Sequence, residues 1–223
     1  MTEHFARFET NVTLLGGGAL SPETVSELLK VAPNLVACDG GAGAALALGL
    51  MPKLVLGDMD SIAAEDRARL DPAIIHEISE QDSTDFDKAI RNLETPLILG
   101  AGFMGRRADH ELACYNVLVR RAESRVILVG EHDVCFHVAD NVRLRVTPGL
   151  RVSLFPMAEV EVRSSGLEYP LDPLVLAPWA RVGTSNRAVS EDVEISVSGP
   201  GLLVLLPRSA LSAAIEAVSS SAR

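Results

Sequence analysis

The sequence predicts an α/β protein in two parts: an N-terminal domain with a mostly parallel sheet over residues 1–132, then a C-terminal antiparallel β-sandwich over residues 133–223. Three observations carry that reading. Short apolar runs alternate with helix-like segments from residue 12 to residue 130. Most of those runs end in a cluster of glycine and aspartate. From about residue 132 the spacing changes to residue-by-residue alternation. Strands joined by helices form a parallel sheet with covered faces, whereas period-two strands with close turns form antiparallel sheets with one face buried.

The elements follow in order. Residues 12–15 read as a strand that ends in Gly16-Gly17-Gly18. Ser21-Pro22-Glu23 opens a helix, with serine as N-cap and proline in the first turn. Residues 35–38 are a second strand, followed by Asp39-Gly40-Gly41 and an alanine-rich helix. Residues 53–56 and 74–78 are the third and fourth strands. Residues 84–93 read as helix, 96–99 as strand and 100–105 as a glycine-rich loop. A helix over 109–121 and a strand over 125–129 close the series. Beyond it, "VRLRVTPGLRVSLFP" alternates and turns at Pro148-Gly149, and "AEVEVRSSGLEYPL" and "VEISVSGPGLLVLLP" continue the theme. Val152, Leu154, Val160 and Val162 are the expected core there, and residues 209–218 a closing helix.

Bulk properties narrow the function. Hydrophobic residues make up 48% of the 223 and charged residues 22%, so the chain is globular rather than disordered. Net charge is -10 with no basic patch beyond Arg106-Arg107 and Arg120-Arg121, which argues against a nucleic-acid partner. The longest apolar stretch, over 44–51, contains Gly49 and is too short to span a bilayer. Cys38, Cys114 and Cys135 show no metal-ligand spacing and read as reduced thiols. "MTEHFARFET" has no apolar segment of the signal-peptide kind, so the expected location is the cytoplasm.

The polar residues collect at strand ends, where ligands bind in open parallel sheets. Asp39 lies in "ACDGGA", Asp58 and Asp60 in "GDMDS", Asp82, Asp85, Asp87 and Lys88 in "QDSTDFDKA", and Asp109 and His110 after "GAGFMGRRA". Any one of these aspartates is explained by helix capping, and Thr84 with Asp87 resembles a capping box. Capping does not explain Asp58 and Asp60 together, two like charges on one side of an extended segment with little nearby to pair them. A hard divalent cation does, since Mg²⁺ takes carboxylate oxygens, water and substrate phosphates. The glycines let backbone amides approach a ligand, helix N-termini favour phosphate, and Lys88 and Arg106 or Arg107 add cations. Nucleotide phosphate chemistry is the expectation. GxxxxGK[ST] is absent, so this is no P-loop, and "GGGAL" is not a dinucleotide fingerprint.

"DGGA" (39–42), "GDMDS" (57–61), "DSTDFDKA" (82–89), "GRRADH" (105–110) and "GTSN" (183–186), in this order, resemble thiamine pyrophosphokinase, and "GLEYPL" (166–171) resembles the C-terminal domain of that family. The resemblance implies transfer of a pyrophosphoryl group from ATP to the hydroxyl of thiamine, giving thiamine diphosphate and AMP. It implies a homodimer with active sites at the subunit interface. It places Mg²⁺ on Asp58, Asp60 and Asp85 with Asp39 beside it. Gln81, Asp82, Ser83 and Thr84 would line the substrate pocket, and Lys88, Arg106, Asp109 and His110 would stand near the nucleotide. Ser185 and Asn186 would meet thiamine from the other subunit. Trp179, the only tryptophan, is either an aromatic partner of thiamine or a partly buried sandwich residue. Asp82, Asp39 and His110 all stand as candidates for a general base. Two rival readings stay open: a metal-dependent nucleotide phosphoesterase, and a thiamine or nucleotide sensor without turnover.

Overall fold

The computed structural model describes residues 5–220, and the chain divides into two compact units with the boundary between Val117 and Leu118. The first unit holds β1 (Ala6–Arg7), β2 (Val12–Leu15), α1 (Pro22–Val31), β3 (Asn34–Cys38), α2 (Gly41–Ala47), β4 (Leu54–Gly57), α3 (Ala64–Arg67), β5 (Ile75–Glu77), α4 (Asp85–Asn92), β6 (Leu93–Glu94) and β7 (Ile98–Ala101). α5 (Ala108–Arg120) runs over the boundary.

Five of these strands form a parallel sheet in the order β7, β2, β3, β4, β5. β2 and β3 are buried at every position, which is why they read as continuous apolar runs rather than alternating ones. Because β2 lies between β7 and β3, the loops after these three strands leave the same edge side by side. On one face, Ala37, Val55, Ala42, Leu46, Met59, Ile62 and Leu70 form a core cluster. Both expected caps are present. Ser21 Oγ accepts from the Thr24 N–H at 3.1 Å, and Thr84 Oγ1 accepts from the Asp87 N–H at 3.2 Å.

The second unit contains β8 (Val126–Val129), β9 (Asp133–Val138), β10 (Asn141–Arg145), β11 (Arg151–Pro156), β12 (Val160–Ser165), β13 (Leu174–Leu176), β14 (Gly183–Arg187), β15 (Asp192–Val197), β16 (Leu202–Pro207) and α6 (Leu211–Ser220). Two antiparallel arrangements result: β14, β11, β16, β9, β8 in one and β10, β15, β12, β13 in the other. Val152, Leu154, Val160 and Val162 are all buried, as the alternation predicts.

Two readings shift. The sequence places the domain boundary at 132, but the run over 126–129 pairs antiparallel with β9 and the compact units divide earlier. Trp179 is 73% exposed, which removes the partly buried reading. Cys38, Cys114 and Cys135 are buried, and the Cys38 thiol donates to the Asp85 carbonyl at 3.6 Å. Among the described residues, no helix is long and apolar enough to cross a membrane.

Candidate functional site

A cavity of about 710 Å³ opens at the ends of β2, β3, β4 and β7 in the first unit. Gly16–Gly18, Asp39, Gly40, Asp58, Asp60, Ser61, Ser83, Thr84, Asp85, Gly102–Met104, Arg106, Arg107 and His110 line it. The residues singled out in the sequence therefore converge. Asp39, Asp58, Asp60, Ser83, Thr84, Asp85, Arg106 and His110 share one wall system, although they span some seventy residues of chain.

Local geometry explains how. Asp39 follows β3 in the left-handed region at φ 39°, a conformation aspartate tolerates better than most residues. Gly41 then starts α2 so close to β2 that a Cβ there would lie 2.1 Å from the Leu15 carbonyl oxygen. Gly57 has φ 148°, and a Cβ on it would meet Asp39 Cβ at 2.9 Å and Asp85 Oδ1 at 3.1 Å. Only glycine lets Asp39 and Asp85 close in on that point. The chain does not stay extended after Gly57. Met59 turns at φ 65° and buries its side chain, and Asp58 and Asp60 converge through that turn rather than by strand alternation.

The carboxylates have different partners. One oxygen each of Asp39, Asp58 and Asp60 lies within 4.8 Å of the others. Asp39 is 2% exposed; Oδ2 accepts from the Ser61 N–H at 3.0 Å, while Oδ1 is buried with no hydrogen-bond partner among the described residues. Burial pushes the Asp39 carboxyl above the usual carboxylate range, against its bonds to Ser61. Asp58 is held below that range, chiefly by Lys88, whose Nζ donates to Asp58 Oδ2 at 2.9 Å and to Asp85 Oδ1 at 3.1 Å. So a partner for Asp58 does exist, thirty residues downstream, where sequence neighbours could not reveal it. Gln81 Nε2 also donates to Asp58 Oδ2, at 3.4 Å.

Several residues take other places than expected. Lys88 is 1% exposed and packed among carboxylates. Asp109 sits in the first turn of α5, exposed, paired with Arg107 at 2.6 Å, and does not line the cavity. Asp82 is exposed and also outside the lining. Arg106 Nη1 reaches the Gly17 carbonyl at 3.4 Å, across the glycine loops. The capping explanation holds for Thr84 and fails for Asp39, because α2 has Gly40 as N-cap and no side-chain cap.

Some contributors carried no sequence signal. Glu80 accepts from Arg91 at 2.8 Å and from the Ser83 hydroxyl, which pins the segment leading into Thr84. Cys38 and Cys114 also line the cavity, and burial pushes both thiols up, Cys114 to about 12. That makes them inert walls rather than nucleophiles.

In the second unit, Ser185 is exposed at φ 62°, with its N–H donating to Ser153 Oγ at 3.0 Å. Asn186 is buried. Its Nδ2 donates to the Tyr169 carbonyl at 2.7 Å, and its Oδ1 accepts from the N–H groups of Tyr169 at 3.1 Å and Arg187 at 2.9 Å. The amide that the resemblance assigns to thiamine is thus occupied by backbone, and it fixes the exposed Tyr169 loop instead.

Two family models match the chain. Residues 25–129 match "Thiamin pyrophosphokinase, catalytic domain", and residues 141–202 match "Thiamin pyrophosphokinase, vitamin B1 binding domain". A thiamine pyrophosphokinase 1 from Oryza sativa subsp. japonica is 30% identical over 164 residues, covering 65% of this chain and 62% of that protein. One from Bacillus subtilis is 24% identical over 192 residues, covering 77% and 85%. The aligned region spans a little under two thirds of the plant relatives' length. Solved structures share the fold. Thiamin pyrophosphokinase from Candida albicans superposes with a TM-score of 0.76 at 18% identity, covering 93% of this chain and 94% of that one. The Bacillus subtilis structure does so at 0.71 and 21%, covering 88% and 98%.

Proposed function

The chain belongs to the thiamin pyrophosphokinase family, and we propose that it transfers a pyrophosphoryl group from ATP to the hydroxyl of thiamine, releasing thiamine diphosphate and AMP. The observation that carries this reading is the orphaned Asp39 Oδ1. A buried oxygen without a partner costs about 1–3 kcal/mol, and one oxygen of the same carboxylate lies within 4.8 Å of oxygens of Asp58 and Asp60. That donor set, all hard oxygen, fits Mg²⁺. Asp58 and Asp60 would hold the ion, flanked by Asp39 and Asp85, and the bound ion would neutralise charge on phosphate oxygens.

The protein's own groups supply the rest. Phosphoryl-type transfer is catalysed chiefly by positioning and charge stabilisation. The Gly16–Gly18 loop, tied to the next glycine loop by the Gly18 N–H donating to the Gly102 carbonyl at 2.9 Å, borders the cavity and would receive the triphosphate, with Arg106 and Arg107 beside it. The thiamine oxygen attacks the β-phosphorus, the bond from that phosphorus to the α-phosphate's bridging oxygen breaks, and AMP leaves with the electron pair. The hydroxyl proton passes to a base; Asp39 and His110 line the cavity and remain the candidates. Ser185, with the Tyr169 loop that Asn186 fixes, would receive thiamine, from the partner subunit of a homodimer in the cytoplasm.

The test is incubation with ATP, Mg²⁺ and thiamine, with products identified by mass. Equal amounts of AMP and thiamine diphosphate are expected. ADP with thiamine monophosphate would overturn pyrophosphoryl transfer. AMP or phosphate released without thiamine would favour the phosphoesterase, and binding without turnover the sensor.

A further inference from the structure

The turn from β5 into α4 carries a polar series of three side chains. Arg91 Nη2, on α4, donates to Glu80 Oε1 at 2.8 Å, and the Ser83 hydroxyl bonds to the same oxygen. Arg91 and Glu80 are half-buried, and Ser83 lines the cavity. Chemistry fixes the direction of the second bond. An ionised carboxylate accepts hydrogen bonds and donates none, and Ser83 and Arg91 together hold the Glu80 carboxyl below its usual range. The Ser83 proton therefore points at Glu80, and the oxygen keeps only lone pairs for a molecule in the cavity. Phosphate oxygens are acceptors and do not match it, whereas an alcohol does. Location agrees. Gln81 Nε2 donates to Asp58 Oδ2 at 3.4 Å, and Asp85 opens α4 two residues after Ser83, so this segment lies at the carboxylate end of the cavity.

We infer that Ser83 Oγ is the acceptor that recognises the free alcohol of the substrate, and that Glu80 and Arg91 are positioning residues that impose this polarity from behind. The alcohol donates its proton to Ser83 while it is the unreacted nucleophile. Once a pyrophosphoryl group is attached, the same oxygen has no proton and the contact lapses. Ser83 thereby separates the substrate from its phosphorylated product, and Glu80 and Arg91 act on that choice without touching either. The inference rests on the thiamine reading given above and adds which group of thiamine Ser83 meets, and in which hydrogen-bonding sense.

The experiment is calorimetric titration of the full-length protein with three probes: thiamine, its analogue with an ethyl arm in place of hydroxyethyl, and thiamine diphosphate. Circular dichroism checks the fold of each variant. Wild type should prefer thiamine over the ethyl analogue by about three- to tenfold, the size of one neutral hydrogen bond. Ser83→Ala should lose most of that preference by weakening thiamine alone, with affinity for the ethyl analogue and for thiamine diphosphate, and KM for ATP, unchanged within error. Glu80→Gln offers an amide donor to Ser83 and frees its proton to turn, so it should also shrink the preference, a ratio that a purely structural role for Glu80 would not move. Arg91→Ala should shrink it in the same sense, and Arg91→Lys should restore it. A wild type without the preference would overturn the inference, as would a Ser83→Ala protein that keeps it or that loses thiamine diphosphate as much as thiamine. If Ser83→Ala does not fold, an unaltered preference in Glu80→Gln overturns it alone. Wild-type protein that binds neither thiamine nor the ethyl analogue would overturn the thiamine reading itself, and with it this one.

Discussion

Asp39 in the first unit and Asn186 in the second are both buried polar side chains at or beside a residue in the left-handed region, and the fold treats them in opposite ways. Asn186 commits its amide to backbone, with one bond from nitrogen and two to oxygen. Asp39 leaves Oδ1 with nothing. A saturated buried group specifies local shape. An unsaturated one is a cost held in reserve until a ligand meets it. That contrast gives the two units different roles. The first keeps reactive, uncompensated chemistry in a cleft, and the second builds a rigid, satisfied frame that presents Ser185 and Tyr169 outward.

The largest expected effect breaks the first half of that comparison. Asp58→Asn and Asp60→Asn should each lower turnover by on the order of 10²–10³, because each removes charge from the proposed cation seat. Their stabilities should differ. Asp60 is exposed, so its replacement relieves repulsion and leaves the melting temperature unchanged or slightly raised. Asp58 is Lys88's closer partner, and replacing it should destabilise by about 2 kcal/mol. Near-normal Mg²⁺-dependent rates in both variants would remove them from the metal site.

The next prediction joins the halves. If thiamine is received by the second unit of a partner chain, Asp58→Asn and Asn186→Ala chains, each inactive alone, should complement when mixed and refolded. A heterodimer has one site with both defects and one with neither. With random mixing about half the dimers are mixed, so activity should recover toward roughly a quarter of wild type. Asn186→Ala must first prove inactive by itself. A mixture shown by mass to contain heterodimers, yet as inactive as its parents, would put each site within one chain.

What could be read from the sequence divides along the same line. The parallel sheet, its strand-end aspartates and the sandwich alternation are local patterns, so periodicity and turn residues expose them. Asp39, Asp58, Asp60 and Asp85 were legible because each closes a short apolar run or opens the helix after one. Lys88's partnership was not: a lysine on an amphipathic helix reads as solvent-facing or ligand-facing, and only the tertiary approach of α4 to β4 buries it. The orphaned oxygen of Asp39 was likewise invisible, since capping by Asp39 and its absence look alike in "ACDGGA". The antiparallel pairing of the strand over 126–129 with β9 was not legible, because an apolar run does not announce the direction of its partner.

A smaller effect sharpens the satisfied half. His137 on β9 accepts the Gly201 N–H through Nε2 at 3.0 Å, and burial lowers it from the ordinary value of 6.5 to about 4. The folded form holds the neutral ring, so the unfolded chain binds the extra proton between those values. Stability from this group is therefore full above pH 6.5, falls as pH drops, and is lost by about pH 4. The loss should reach about 2 kcal/mol at about pH 5. His137→Gln keeps an acceptor and does not titrate, so urea midpoints at about pH 7 and about pH 5 should lie closer together than in wild type. Equal acid sensitivity in the two proteins would assign the pH dependence to other groups.

The smallest effect asks whether a helix cap at the cleft is more than a cap. Ser21 and Thr84 do the same local work in the first unit, each accepting one first-turn N–H at nearly the same distance, 3.1 and 3.2 Å. Replacing either by alanine should cost about 1 kcal/mol, seen as similar falls in melting temperature. Their surroundings differ. Ser21 lies outside the cavity, while Thr84 lines it and begins the helix that carries Asp85 and Lys88. Ser21→Ala should leave kcat and both KM values unchanged within error. Thr84→Ala should lose the same stability and in addition raise KM for a substrate or lower kcat severalfold, because a frayed first turn lets Asp85 drift from Lys88. Thr84→Ser, which keeps the acceptor oxygen, should restore both. If Thr84→Ala matches Ser21→Ala in stability and in every kinetic constant, capping accounts for Thr84 entirely, and the rigid presentation of Asp85 depends on Lys88 alone.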